Sequence, residues 1–205
     1  MSTRLVDAVI LDLGNVLVFH DNALLLRRLA ARAGTGGEAE HRLSDALSGP
    51  LAEAINRGEL DGEGIRRQVC RLLGSDIPAD VFFNLWSSHF RPNEAIFPRV
   101  EVLSGQLPLV LLSNTNALHW EFLRPRLPAL ARFRGLVLSH EVGAAKPEPA
   151  IYLRAAEVAG VPPGRAAFFD DVPAYVDAAN ALGFRGHVFT DVTQFEEQLR
   201  ALGLL

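Results

Sequence analysis

Six residues carry the side chains from which a reaction could be assembled: Asp12, Ser113, Asn114, Lys146, Asp170 and Asp171. Five of them stand where an apolar run stops. Asp12 follows Ala8-Val9-Ile10-Leu11, Ser113 and Asn114 follow Leu109-Val110-Leu111-Leu112, and Asp170 and Asp171 follow Ala166-Ala167-Phe168-Phe169. Lys146 lies in the loop beyond Gly135-Leu136-Val137-Leu138. Singly, each has an ordinary explanation: Asp12 a loop cap, Ser113-Asn114 turn chemistry, Lys146 a solvated lysine, the Asp170-Asp171 pair a helix cap. Gathered at one edge they make a different statement, because two like charges ~4 Å apart cost about 4 kcal/mol at an effective dielectric near 20. A hard divalent cation relieves that repulsion, and Mg2+ commonly joins a few carboxylates to a substrate phosphate. Lys146, Ser113 and Asn114 would then supply donors for phosphate oxygens. Such a set suits phosphoryl transfer to an aspartate nucleophile.

The elements around these residues decide whether they can meet. Continuous apolar runs of this length read as strands buried on both faces, the kind found in parallel sheets. Gly14 marks a sharp turn or a close approach of ligand to backbone. From His20 to about Phe90 the spacing is helical, with almost no strand signal. Asp21 caps a helix through Leu24, Leu25, Leu26 and Leu29 that ends near Gly34. Further helices cover about 38–48, then to Arg57, then Ile65 to Leu73, and from Pro78 through Phe90. Beyond Pro92 the pattern alternates. Strands at 108–112, 135–138, 166–169 and 186–189 are separated by helices at 93–104, 117–126, from Pro147 to Ala159, and at 173–182. A last helix opens on the capping-box spacing of Thr193 and Glu196.

Alternation of this kind predicts an α/β fold: a doubly wound, Rossmann-like parallel sheet of about five strands with right-handed crossovers. The loops at the carboxyl ends of its strands open on one edge, where such sheets bind ligands. The chain divides accordingly into a catalytic core, 1–17 and 91–205, and a helical cap subdomain, 18–90, inserted after the first strand.

Composition narrows the partners. The 205 residues carry a formal charge of −4 and no Lys/Arg run, which argues against nucleic acid. Cys70 is the one cysteine, so no intramolecular disulfide forms, and it reads as a buried, inert thiol. No apolar run approaches the ~20 residues of a membrane span. Asp7 and Asp12 interrupt the amino-terminal apolar stretch, unlike a signal peptide. A cytoplasmic protein is the expectation.

The chain also resembles a known family, the haloacid dehalogenase-like hydrolases, over nearly its whole length. Four motifs occur in order: Ile10-Leu11-Asp12-Leu13-Gly14-Asn15-Val16, Val110-Leu111-Leu112-Ser113-Asn114-Thr115-Asn116, Gly143-Ala144-Ala145-Lys146-Pro147-Glu148-Pro149, and Phe168-Phe169-Asp170-Asp171. The 18–90 block looks like the family's helical cap, with Arg57-Gly58-Glu59-Leu60 similar to a turn common in such caps. The run Leu112 to Asn116 followed by Leu118-His119 resembles the family's small sugar-phosphate phosphatases. The resemblance implies Asp12 as nucleophile and Mg2+ ligand, with Gly14 offering its backbone carbonyl to the metal. It implies Ser113 and Asn114 on the phosphoryl group, Lys146 between Asp12 and phosphate, and Asp171 on the metal with Asp170 in or beside the ligand set. The substrate it implies is a small phosphorylated metabolite such as a sugar phosphate.

Two positions depart from the pattern. Most of the family's phosphatases carry a second aspartate two residues after the nucleophile as general acid, where this chain has Gly14. The position four residues after Asp171, often Asn or Asp, is Tyr175. A positioned acid contributes roughly 10²–10⁴-fold, so another residue must be sought. His20 and Asp21 follow the opening strand, and an imidazole can donate a proton near neutrality; Asp21 also suits an N-cap. In the cap, Arg57, Trp86 and His89 are candidates to face a substrate, Trp86 also suiting the cap's core. Two other functions compete: a metal-independent dehalogenase of the same fold, for which the Asp170-Asp171 pair has no evident use, and a non-catalytic phospholigand-binding protein.

Overall fold

A computed structural model describes residues 4–35 and 37–205. Strand β1 (Ala8–Leu11) leads through a tight turn into β2 (Val18–His20). Five helices follow: α1 (Asn22–Ala33), α2 (Gly37–Ala46), α3 (Pro50–Asn56), α4 (Gly62–Leu73) and α5 (Ala79–Trp86). The chain returns through β3 (Phe90–Pro92), antiparallel to β2, into a 3-10 turn and α6 (Phe97–Ser104). Then come β4 (Leu109–Ser113), α7 (Ala117–Leu123), β5 (Gly135–Leu138), α8 (Ser139–Val142) and α9 (Pro149–Ala159). The last elements are β6 (Ala166–Asp170), α10 (Pro173–Ala181), β7 (Arg185–Val188) and α11 (Val192–Ala201).

The five expected strands form one parallel sheet in the order β5-β4-β1-β6-β7. Alternate residues of β1, β4, β5 and β6 feed two separate cores. Val9, Leu11, Leu109, Leu111 and Phe169 pack with Val100, Leu103, Phe195 and Leu199 of α6 and α11. Ala8, Ile10, Val110, Leu112 and Phe168 pack with Ile151, Tyr152 and Ala155 of α9 and Ala179 of α10. Both faces are covered, which is why these strands read as unbroken apolar runs rather than as alternation. Phe168 and Phe169 are fully buried on opposite faces, each worth about 1.5–3 kcal/mol. Helices α1–α5 surround a third cluster, with Leu29, Leu43, Val69 and Phe82 at its centre. Cys70 is buried there as expected. Among the described residues, no helix is long and apolar enough to cross a membrane.

Several expected boundaries move for local reasons. Helix α5 stops at Trp86, not Phe90, because Phe90–Pro92 pairs with Val18–His20. A three-residue ribbon therefore stands at the base of the helical block, where helical spacing masked it. Pro149, rather than Pro147, opens α9. The 117–126 helix ends at Leu123 and continues as a 3-10 turn over Arg124–Arg126. Asp191, rather than Thr193, caps α11 by accepting from Gln194 N at 2.9 Å. Asp21 does cap α1, accepting from Leu24 N at 2.9 Å.

The helical block rests on the sheet's edge loops at two places. Arg57 Nη2 meets Glu148 Oε1 at 3.1 Å. Beside it, Gly58 has φ +72°, and a Cβ there would stand 2.3 Å from the carbonyl oxygen of His140. At the second place Trp86 Nε1 donates to Asn116 Oδ1 at 3.4 Å, and Ser87 Oγ donates to Leu118 O at 3.4 Å. Gly58→Ala should cost about 2–4 kcal/mol, the sum of left-handed strain and a backbone clash, lowering Tm by roughly 5–15 °C. Gly34→Ala is the control. Gly34 has φ +69° but open space around its Cβ position, so only about 1–2 kcal/mol of strain should appear. Equal losses in thermal melts would mean that the contact with His140 is immaterial.

Candidate active site

The sheet order places β1 between β4 and β6. The chain first winds outward from β1 through β4 to β5, then crosses to β6 on the other side. Ligand crevices form at such switch points, beyond the carboxyl ends of the strands. Asp12 is the residue after β1, and Asp170 is the last residue of β6. Lys146, from the loop between α8 and α9, joins them. Its Nζ donates to Asp12 Oδ1 at 2.7 Å and to Asp170 Oδ2 at 2.5 Å, and its side chain is 1 % exposed. Asp170 Oδ1 accepts from Val172 N at 2.9 Å. Asp171 Oδ2 accepts from Asn15 Nδ2 at 2.8 Å. Asp12, Asp170 and Asp171 each bring an oxygen within 4.8 Å of the others.

Burial pushes the Asp12 carboxyl up to about 7, against the pull of the Lys146 ammonium and with help from Asp170. Burial alone would lower Lys146; the two carboxylates outweigh it and hold the ammonium above its ordinary value. With all three acids ionised, three negative charges face one positive charge. The set is all oxygen and short of cation, which fits a hard divalent ion such as Mg2+.

Asn114 engages the backbone of Lys146. Its Nδ2 donates to Lys146 O at 2.9 Å and its Oδ1 accepts from Lys146 N at 2.8 Å. The amide clamps the lysine's main chain, and residue 114 also lines the adjoining cavity. Glu148 Oε1 accepts from Ala145 N at 3.0 Å, bracing the same loop. The Tyr175 ring lies 5.1 Å from Lys146 Nζ, so the position where an amide or acid was expected forms an aromatic wall beside the lysine. Ser113 is buried at the end of β4 and lines the adjoining cavity.

Gly14 is not the left-handed turn residue; Asn15 is, at φ 51°. Asparagine tolerates that conformation better than most residues, and its amide reaches Asp171 and His20 Nε2, the latter at 3.3 Å. Glycine at 14 serves space instead. A Cβ there would stand 3.1 Å from His20 Nε2 and 3.7 Å from Asp12 Oδ2. The imidazole thus fills the room that an acid at 14 would need. Asp21 is engaged as a helix cap, which leaves His20 as the candidate of the pair.

A cavity of about 310 Å³ opens between this edge and the helical block, reached by Gly14, His20, Ser113, Asn114 and Trp86. Trp86 belongs to the helical core, 2 % exposed, and also lines this space. Arg57 does not line it; it is paired with Glu148. His89 does, buried at 6 % exposure. Burial, then the neighbouring His20, push the His89 imidazole down to about 4. His119 is lowered to about 3, by burial and then by His89. Neither Asn116 nor His119 was singled out as a site residue, although Asn116 caps α7 by accepting from His119 N at 3.1 Å, a spacing visible in the chain.

A sequence profile of the haloacid dehalogenase-like hydrolases matches residues 6–183. The chain belongs to that family. A D-ribitol-5-phosphate phosphatase of Bacteroides thetaiotaomicron is 25% identical over 185 residues, spanning 86% of this chain and 88% of its own. A HAD family enzyme of the same organism superposes with a TM-score of 0.86 at 21% identity, covering 95% of this chain and 98% of that one. Its complex with magnesium and inorganic phosphate superposes at 0.79 and 22%, covering 93% and 98%. This member of the family is accordingly a hydrolase on a Rossmann-like sheet.

Two measurements probe the electrostatics. Lys146→Met leaves buried carboxylates without their cation and should cost about 3–5 kcal/mol in urea unfolding. Millimolar Mg2+ should recover more stability in this variant than in the wild type; an identical response in both would defeat the charge argument. The second concerns His119. Its folded pKa is depressed, so between about pH 6.5 and 3 the unfolded chain binds a proton that the folded chain refuses. Stability is then lost as pH falls through that window. His119→Gln should reduce the slope of stability against pH by about 1.4 kcal/mol per unit, and an unchanged slope would show the imidazole protonated in the fold.

Proposed function

We propose that this hydrolase is a Mg2+-dependent phosphatase of a small phosphorylated metabolite, sugar phosphates included, working through an aspartyl-phosphate on Asp12. The observation that carries this is the single ammonium of Lys146 shared between Asp12 and Asp170, with Asp171 beside them, next to the cavity-lining Gly14 and Asn114. The phosphatase name of the Bacteroides relative and the magnesium and phosphate bound to the structural neighbour support it. Asp12 Oδ1 is held by Lys146, which leaves Oδ2 to attack phosphorus as the bond to the alcohol breaks. Ser113 and the main chain of Asn114 would hold the phosphoryl oxygens, and Lys146 would balance their charge. Mg2+, held by Asp12, Asp171 and the Gly14 carbonyl with Asp170 beside them, would neutralise charge on the transferring group. Water then cleaves the acyl-phosphate and regenerates the carboxylate.

Residues 18–90 would act as the cap that closes over the leaving alcohol and excludes bulk water. His20 stands where the family's usual acid would project, so it is the group that we assign to the leaving oxygen. A dehalogenase would leave Asp171 and its hydrogen bond to Asn15 without a role. A binding protein would need no carboxylate oxygen left open beside the lysine.

Phosphate release from p-nitrophenyl phosphate, with Mg2+ and with EDTA, tests the reading. Asp12→Asn should abolish turnover while leaving the thermal melt cooperative; more than a few per cent residual activity would sink the assignment. Asp171→Asn should raise the Mg2+ concentration needed for half-maximal rate further than Asp170→Asn does. If His20 serves the leaving oxygen, His20→Ala should lose up to ~10²-fold on alkyl phosphates and little on p-nitrophenyl phosphate, whose leaving group needs no proton. A uniform loss on both would remove His20 from that role.

A further inference from the structure

We propose that the cavity takes the leaving alcohol and admits only an uncharged, hydroxylated one: the substrate is the monophosphate ester of a small neutral polyol or sugar, without carboxylate, amine or second phosphate. This rests on the phosphatase reading above. Its ground is the composition of the cavity wall. The chain holds 20 Lys and Arg and 24 Asp and Glu, about a fifth of its residues, yet among the described residues none of these lines the cavity. Apart from His20, assigned above to the leaving oxygen, the polar groups are neutral donors or acceptors, among them Asn116 and His119 from the core and Asn56, Ser44 and His89 from the helical block. Leu25, Leu26 and Ile55 supply the apolar part of the wall, suited to the C–H face of a sugar or polyol.

The neutrality of His119 follows from its partners. Nε2 faces the Trp86 carbonyl oxygen at 3.2 Å, which can only accept, so Nε2 carries the hydrogen. Nδ1 lies 3.0 Å from Asn116 Nδ2. The oxygen of that amide already accepts from His119 N and Trp86 Nε1, so the nitrogen donates and Nδ1 is bare. His89 lines the cavity, and its buried Nδ1 has no hydrogen-bond partner among the described residues. The arginines that could bring charge are held elsewhere, Arg28 on Ser88 and Arg57 on Glu148. An anionic leaving group would lose its hydration here with no lysine or arginine in the wall to offset it, which is costly. The volume, about 310 Å³, sits at the bottom of the ~300–1,000 Å³ range of small-molecule sites and suits a sugar rather than a nucleotide.

The test compares kcat/KM, with Mg2+, for a pentitol phosphate and a hexose monophosphate against phosphoglycerate, phosphoserine and a hexose bisphosphate, with p-nitrophenyl phosphate as reference. The neutral esters should exceed the charged ones by roughly 10²-fold or more. Turnover of the reference with charged esters within about threefold of neutral ones overturns this inference alone. If the reference and every ester are inert, the phosphatase reading itself fails. Ser44→Lys adds a cation to the wall and should raise the ratio of phosphoglycerate to p-nitrophenyl phosphate turnover by about tenfold; an unchanged ratio argues against the wall as the selector. His89→Asn should raise KM for the pentitol phosphate more than for the reference, whereas equal changes would make His89 merely structural and remove it from recognition.

Discussion

One ammonium between two carboxylates holds the carboxyl edge of this sheet together. Lys146 Nζ bridges Asp12 and Asp170, which belong to neighbouring strands 158 residues apart in the chain, and it does so almost out of contact with water. Removing the lysine would leave two buried acids with no cation; removing an acid would leave a buried ammonium half-paired. The loop that carries it is tied down from both sides, by Asn114 beyond β4 and by Glu148 ahead of α9. Four separate loops are therefore fixed relative to one another by one charge and the amide that positions it. The strands beneath contribute polar side chains to this edge only at their last residues, Ser113 of β4 and Asp170 of β6. Otherwise the strands contribute rigidity, which a reacting geometry needs.

The strands were legible because burial on both faces removes the ambiguity of alternation. The residues at their ends were legible because only polar residues follow such runs. What each side chain does there was less legible. Asn114 looks in the chain like a phosphate donor, and its amide also braces a lysine 32 positions later. That contact depends on how β4 and the α8–α9 loop lie together, which no local pattern records. The β2–β3 ribbon escaped notice for a related reason. Three residues per strand give no periodicity, and their pairing spans the whole helical block. The two prolines before α9 were indistinguishable by type, since either suits a first helical position.

Gly14 illustrates how one substitution in a motif is answered elsewhere. Its glycine reads as a turn device, yet the left-handed backbone belongs to Asn15. The missing side chain instead admits the His20 ring, and Asn15 holds both that ring and Asp171. An aspartate at 14 and a histidine at 20 would compete for the same space, so the two belong to one choice. The sequence shows the loss of an acid, and only the fold shows what stands in its place.

The helical block touches the sheet at the same loops that build the site. Arg57 pairs with Glu148, whose carboxylate also holds Ala145 N beside Lys146. Trp86 and Ser87 engage the segment just beyond Ser113 through Asn116 and Leu118. A motion that opened the block would loosen both braces at once, so any movement of the block is mechanically coupled to the setting of Lys146. The resulting edge is divided by charge: Asp12, Asp170, Asp171 and Lys146 gather at one end, and among the described residues the cavity wall holds no Asp, Glu, Lys or Arg. On the reading proposed above, interactions with the alcohol would be largely the same before and after phosphorus is attacked, and they would govern which substrate enters. The charged end would act on what changes in the transition state, and so would govern rate.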